Sequence, residues 1–537
     1  MLQNLLLLIA SFLLAFIPLY PKIPLFDILP GYIVRVRLED ALVLLAFLYY
    51  LILLFRKKID FKNKINPWIF GYLGVASLSI LSAVFLIKTI PLELIHVGKS
   101  VLHLFRYTEY FSLFFIMFSA IKKPKDVKVV FYSLIFTVLA ISVYGYGQRY
   151  WYWPVFSTMN REFSKGMVLY LTEHARVQST FGGHYDLAAY LVIVLPIFYL
   201  LAINTKNKWQ RTGLHLVHII GLWLLVMSAS RTSFIAYIGA VLAGLFLFAI
   251  TKNKILEKIF YFLKKSFAYL ALVSIMMYSF GADMRERFEQ VLRAYPSTFK
   301  TYEEVKKNAG KQIEFISDPV AKFKELRESK KPKNGIAFDN TSADNILTPT
   351  DQQPSSTRPI DVYVDIPDKV ATSSATGVIT YEEKPRVWSA NAMKYGLSFA
   401  IRLDELWPNA IKGFVKNPLL GSGYATLNKK EFQQFTEAES TDNNFLRTLG
   451  ETGLLGFISF YGAVVALLVL LYKNQKDDKQ SQLRIVNIAF IAASIGLLLN
   501  ATYIDVFASS KVAFSYWALA GAILAYNNHV KKTKKGS

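Results

Sequence analysis

Apolar residues in this chain fall in long, nearly unbroken blocks separated by polar stretches. The pattern has neither the alternation of a half-buried strand nor the narrow stripe of a surface helix. Twelve blocks stand out, at about 3–20, 39–55, 68–88, 101–121, 127–148, 185–203, 212–228, 232–250, 264–280, 453–472, 483–503 and 508–527. Each has about the length a helix needs to cross a hydrocarbon core roughly 30 Å thick. They predict an all-α polytopic membrane protein with about twelve transmembrane helices. The first block lacks a basic leader and runs into Pro21 and Pro24 instead of a small-residue cleavage site, so it reads as a retained helix.

The polar intervals set the sidedness. Every second connection is basic: Arg56, Lys57, Lys58, Lys62 and Lys64; Lys122, Lys123 and Lys125; Lys206, Lys208 and Arg211; Lys252, Lys254, Lys258, Lys264 and Lys265; Lys473, Lys476, Lys479 and Arg484. The tail adds Lys531, Lys532, Lys534 and Lys535. Basic loops stay in the cytoplasm, so both termini are expected there. Residues 149–184 and 281–452 then lie on the outer side. The chain divides into a bundle of nine helices (1–280), a large extracytoplasmic loop (281–452) and three last helices with a basic tail (453–537). Loops as long as 281–452 are usually functional. Its middle, about 328–385, carries Pro332, Pro349, Pro354, Pro359 and Pro367 among polar residues and reads as a flexible insert. From Arg386 to Pro418, Trp388, Met393, Leu397, Ile401, Leu406, Ile411 and Phe414 recur at near-helical spacing, which predicts amphipathic helices against the outer face.

Composition narrows the function. The chain is 53% apolar and only 18% charged, which excludes a soluble enzyme and a disordered protein. The net charge of +23 would point to nucleic acid in a soluble chain, but inner-loop cations account for much of it, so no nucleic-acid partner is expected. Cysteine is absent, which removes disulfides, thiolate nucleophiles and Cys-ligated zinc. No metal, phosphate-loop or nucleotide signature occurs, so no cofactor is expected.

Four clusters place polar residues beside the membrane on the predicted outer side. They are Arg176-Val-Gln-Ser-Thr-Phe-Gly-Gly-His184-Tyr-Asp186; Ser228-Ala229-Ser230-Arg231; Arg402-Leu-Asp404-Glu405-Leu-Trp407 followed by Asn417-Pro418-Leu-Leu-Gly421-Ser422-Gly423; and Thr441-Asp442-Asn443-Asn444 running into Glu451-Thr-Gly453-Leu-Leu-Gly456. An arginine at the hydrocarbon edge is costly and functional by default, and its planar fork suits a phosphate. Arg231 can therefore hold a phosphate or serve as a snorkelling anchor. Arg402 can do the same or pair with Asp404 or Glu405 on the surface, and Arg176 has the same ambiguity. Asp442 can accept a proton from an attacking hydroxyl, or it or Asn443 can cap a helix. Glu451 is a reserve base or a structural acid. His184 and Asp186 form a dyad or a local hydrogen bond, while Arg106 and Glu109, three apart, are expected to pair inside the bundle.

In this order the clusters resemble the bacterial O-antigen ligase and polymerase family, over about 176–456, with Arg402-Leu-x-x-Leu-Trp, Pro418-Leu-Leu-Gly-Ser-Gly and Asn443-x-x-Leu446-x-x-Leu449-x-Glu451-Thr-Gly453-Leu-Leu-Gly456 among the matching residues. The resemblance implies a metal-independent, inverting glycosyltransferase at the outer face of the bacterial cytoplasmic membrane. Its donor would be a polyprenyl-diphosphate-linked glycan, and a glycan or lipid-glycan would accept. It implies that Arg231 and Arg402 hold the diphosphate and that Asp442 assists the acceptor. Arg176, Ser230, Asn443, Gly421 and Gly423 are then expected to line the substrate site. Ligases of the family carry His-Asn where this chain has Asp442-Asn443, so a polymerase or a different glycan ligase also fits. The rival class is a polysaccharide transporter or flippase without transferase activity.

Overall fold

The computed structural model describes residues 2–29, 35–159, 162–293, 327, 330–332, 335–338, 359, 368–373, 379–384, 386–427, 440–476 and 482–535. Helices occupy all twelve predicted blocks. They are α1 (Leu2–Leu19), α2 (Leu38–Phe55), α3 (Asn66–Leu81), α4 (Leu94–Ala120), α5 (Val127–Trp151), α6 (His184–Asn204), α7 (Lys208–Met227), α8 (Arg231–Ile250) and α9 (Ile255–Phe280). A short α10 (Ala282–Arg293) follows, then α11 (Ala390–Tyr395), α12 (Leu397–Ile401) and α13 (Trp407–Lys416), and last α14 (Asn444–Lys476), α15 (Gln482–Ala501) and α16 (Ser510–Lys535). Among the described residues, eight helical segments are long and apolar enough to cross a membrane. The chain is thus a largely helical multi-pass membrane protein. The other four blocks fall short for identifiable reasons: α1 is a shorter apolar helix, and charged or polar side chains interrupt α4, α7 and α16 (Lys99, Arg106 and Glu109; Lys208 and Arg211; Lys511 and Asn527).

The centre of the bundle is α6, which packs on α7, α8 and α15, while α4 packs on α16 and α14 on α3. From Leu187 to Leu200 its side chains are almost all buried, so it is covered by protein on every side. The amphipathic stretch predicted after Arg386 is helical as α11 to α13, with a π-helical turn at Arg402–Leu406 between α12 and α13. Most of the predicted insert at 328–385 lies outside the described residues. Within it, β4 (Ile336–Phe338) pairs in parallel with β3 (Leu169–Leu171), Tyr170 opposite Ala337, and β5 (Asp368–Ser373) pairs antiparallel with β6 (Ile379–Lys384). A further antiparallel pair, β1 (Pro24–Asp27) and β2 (Arg35–Arg37), links α1 to α2.

Buried and half-buried ions join helices of the bundle. Lys22 Nζ lies 2.5 Å from Glu39 Oε1, and Arg106 Nη1 lies 2.5 Å from Asp40 Oδ1 and 3.3 Å from Glu109 Oε2. The expected Arg106–Glu109 pair is therefore present, but the closer partner comes from α2. Lys511 Nζ donates to the carbonyls of Pro18 (2.9 Å), Tyr20 (2.7 Å) and Thr180 (2.8 Å), so one ammonium joins α1, the segment before α6 and α16. Removing that ammonium would leave these carbonyls without their donor, so Lys511 ties Thr180, in the segment that carries Arg176, to the end of α1.

Candidate functional site

The starts of α6, α8 and α14 and the end of α15 meet at one end of the bundle. At their other ends, α6, α8 and α14 run into the basic segments. Local backbone explains how the site residues reach this point. Ala229 adopts a left-handed conformation (φ 48°), breaking α7 from α8 in a single step. Ser230 occupies the position before the helix without capping it through its side chain, and Arg231 becomes the first residue of α8. Asp442 is likewise left-handed (φ 52°), a conformation that aspartate tolerates better than most residues.

Arg402 is almost fully buried. Its Nη2 donates to Asp442 Oδ2 at 2.7 Å, its Nη1 donates to Ser398 Oγ at 3.0 Å and also to the Ser398 carbonyl, and the guanidinium lies 4.0 Å from the centre of the Tyr503 ring. Its Nε has no hydrogen-bond partner among the described residues. Tyr503 stacks in turn on Phe399, 6.0 Å between centres and 12° from parallel. Ring, guanidinium and carboxylate thus fix Arg402 in one orientation. The alternative reading, a surface pairing of Arg402 with Asp404, does not form. Asp404 instead accepts from Ser389 Oγ (2.6 Å) and Asn391 Nδ2 (2.5 Å).

Arg231 is half-buried and donates from Nη1 to the Arg287 carbonyl at 2.8 Å; among the described residues it has no acidic partner. The charges of Arg402 and Arg231 both act on the Tyr503 hydroxyl. Arg176 joins the same group: its Nη1 lies 2.5 Å from His184 Nε2 and 3.2 Å from the Tyr185 hydroxyl, which also feels Arg402 and Asp442. Of the two readings of His184, the local hydrogen bond is the one present, to Arg176; Asp186 interacts instead with Ser509, Lys22 and Lys511. Three predicted arginines, with Asp442, therefore surround Tyr185 and Tyr503.

The carboxyl of Asp442 is buried, which raises its pKa; Arg402 opposes the rise and Asp505 adds to it. Ser440 Oγ donates to Asp442 Oδ1 at 2.5 Å. The helix-cap alternative belongs to its neighbour. Asn443 Oδ1 accepts from the amides of Phe445 (3.1 Å) and Leu446 (3.0 Å) at the start of α14, so its carboxamide oxygen caps the helix.

Asp505 organises this turn and was not singled out in the sequence. Its Oδ2 accepts from the Thr441 amide (2.8 Å), Ser440 Oγ (3.0 Å) and Arg447 Nη1 (3.2 Å), and its Oδ1 from the Asn443 amide (3.0 Å). The available signal was its position as the single carboxylate between the last two apolar blocks. Glu451 completes the group as a structural acid, pairing with Arg447 Nε at 3.2 Å and accepting from the Ala425 amide at 3.1 Å.

The remaining predicted site residues make packing contacts within the chain. Ser230 is buried and donates to Ser233 Oγ (2.9 Å), which bonds Asn500 between α8 and α15. Gly421 and Gly423 lie where the segment after α13 crosses a kink in α14 at Gly453 (φ 67°). There the Ser422 and Gly423 amides donate to the Gly450 and Glu451 carbonyls at 2.8 and 3.0 Å, and the Leu454 amide to Pro418 at 2.8 Å. A Cβ on Gly421 would stand 2.5 Å from the Glu451 carbonyl carbon, in a left-handed conformation (φ 69°). We expect Gly421→Ala to lower stability by at least about 2 kcal/mol, read as a fall in the thermal midpoint of purified protein. Gly71→Ala, with nothing within 4 Å of its new methyl, should leave the midpoint unchanged or raise it.

Among the described residues no group of three or more His, Asp or Glu side chains is placed to hold a metal ion. No protein-family model matches the chain, and no curated protein matches it.

Proposed function

We propose that the chain is a membrane glycosyltransferase acting on a polyprenyl-diphosphate-linked glycan at the outer face of a bacterial cytoplasmic membrane, with both termini inside and twelve crossings in all. The observation that carries the reading is the pair of guanidinium groups, Arg231 and Arg402, set about Tyr503 at one end of the bundle with Asp442 on Arg402. Burial strengthens the attraction between such cations and a diphosphate, and the π-stack holds one fork ready for it.

In the reaction, the lipid tail lies among the helices with its diphosphate at Arg231 and Arg402. An acceptor hydroxyl, oriented at Asp442, attacks the anomeric carbon from the face opposite the diphosphate. The new glycosidic bond forms as the bond to the diphosphate oxygen breaks, and the electron pair leaves with the lipid diphosphate. The hydroxyl proton passes to the Asp442 carboxylate. The arginines stabilise the charge that grows on the leaving group, and holding both substrates in one cleft supplies proximity.

Purified protein given lipid-linked repeat units should release polyprenyl diphosphate and yield longer glycans if it polymerises. If it ligates, release should need an added acceptor. Release in neither case, with transbilayer movement of the lipid-linked glycan instead, would overturn the reading in favour of a flippase. The pH profile gives a second check. A base must be ionised, and the raised pKa of Asp442 moves the acid limb of the rate to higher pH than for an ordinary carboxylate. Asp442→Asn should lower the rate about a hundredfold or more and abolish that limb, whereas a structural role would leave the shape of the profile unchanged.

A further inference from the structure

His184 is the first residue of α6 and is fully buried. Its Nε2 lies 2.5 Å from Arg176 Nη1. A guanidinium stays protonated and has only donors, so Nε2 must supply the lone pair. The imidazole is then neutral with its proton on Nδ1. That N–H is buried and meets no acceptor among the described residues. Buried polar groups nearly always have a partner, so Nδ1 is open to an acceptor that the protein does not supply, a water or a ligand oxygen.

The surroundings indicate which kind. The charges of Arg176 and Arg287 both act on the ring, and those of Arg176 and Arg402 act on the adjoining Tyr185 hydroxyl. An acceptor arriving in that field is favoured if it is anionic. Arg231, whose Nη1 is bonded to the Arg287 carbonyl, links this group to the pair already assigned to the substrate.

We propose that His184 donates a hydrogen bond from Nδ1 to a non-bridging oxygen of the substrate diphosphate, as a third point of contact beside Arg231 and Arg402. This rests on the glycosyl-transfer reading and adds a fixed-tautomer donor to it. Arg176 is then a positioning residue: by occupying Nε2 it fixes which ring nitrogen carries the proton. The ring donates without changing its charge, so it discriminates by geometry where the arginines attract by charge.

The test uses the full chain in lipid nanodiscs, with farnesyl diphosphate as the probe. His184→Gln offers Arg176 an acceptor in place of Nε2 but has no N–H at the Nδ1 position; His184→Asn keeps an N–H there. The glutamine variant should bind the probe about tenfold more weakly, and the asparagine variant within about threefold of wild type. Wild-type affinity in the glutamine variant overturns the proposal. If Arg231→Ala/Arg402→Ala loses the probe at the same time, the glycosyl-transfer reading survives that failure. No binding by the wild-type chain overturns both. Folding of the variants does not limit the test, because ¹⁵N-histidine spectra of wild-type protein report the same contact. A ring protonated at Nδ1 whose signal moves when farnesyl diphosphate is added supports the contact, and a ring protonated at Nε2, or an unmoved signal, overturns it.

Discussion

Replacing Arg231 and Arg402 together by alanine should reduce glycan transfer by about a thousandfold or more, at unchanged protein level. Removing one preorganised donor from a developing anion costs on the order of a hundred- to a thousandfold, and two donors acting as a unit are not additive. The single variants should differ. Arg231 begins a helix and its side chain is bonded to one carbonyl, so Arg231→Lys keeps a charge at the helix end and should retain part of the rate. Arg402 is held by a carboxylate, a serine and an aromatic face, and lysine can reproduce neither the fork nor the stack. Arg402→Lys should therefore approach the alanine variant. Arg402→Ala also leaves the buried Asp442 carboxylate without its cation, and the carboxyl should then titrate at still higher pH. Transfer assayed in membranes, normalised to protein and set beside uptake of the lipid-linked glycan, decides the matter. An active double variant, or one defective only in uptake, would refute the transferase proposal.

The helices were legible because apolar block length is a direct consequence of bilayer thickness. Their ends were less so. The block at 453–472 is the apolar part of α14, which begins at Asn444 and passes through the Gly453 kink, so its first turns carry polar residues that hydropathy reads as loop. The same blindness hid the ions that join the helices. Lys22, Glu39, Asp40 and Lys511 sit beside helix ends, where charges ordinarily face water. Here α1, α2, α4 and α16 converge and bury them against one another. Arg231 could be singled out because it separates two apolar blocks, Arg402 because it lies on an amphipathic stretch, and Arg176 and Asp442 because they stand in polar clusters ahead of α6 and α14. Which of them meet could not be read from spacing, since Arg402 and Asp442 lie forty residues apart in the chain, 402 to 442. Gly421 and Gly453 were legible as points of close backbone approach, but their partner is each other's segment, a fact only the packing supplies.

Asp505→Asn should cost the fold more than any other single change considered, and it separates positioning from chemistry. The carboxylate holds two backbone amides and a hydroxyl of the 440–443 turn, and it pairs with the buried Arg447 at 3.2 Å. An asparagine of the same shape keeps at most one carboxamide oxygen as acceptor. Its NH2 group faces either amide donors or the guanidinium, so at least one buried donor loses its partner. Glu451 still binds Arg447, which limits the loss. Removing one member of a buried ion pair costs about 3–5 kcal/mol, and the surviving Glu451 contact places the expected loss near 3 kcal/mol. It should appear as a lower thermal midpoint of the purified protein. Loosening the turn also frees Asp442 from its left-handed conformation and its alignment with Arg402, so the rate should fall further than the folded fraction does. Binding of farnesyl diphosphate, which depends on the arginines, should weaken far less than turnover. If binding and turnover fall in the same proportion, Asp505 supports the fold alone, and Asp442 is not positioned by it for chemistry.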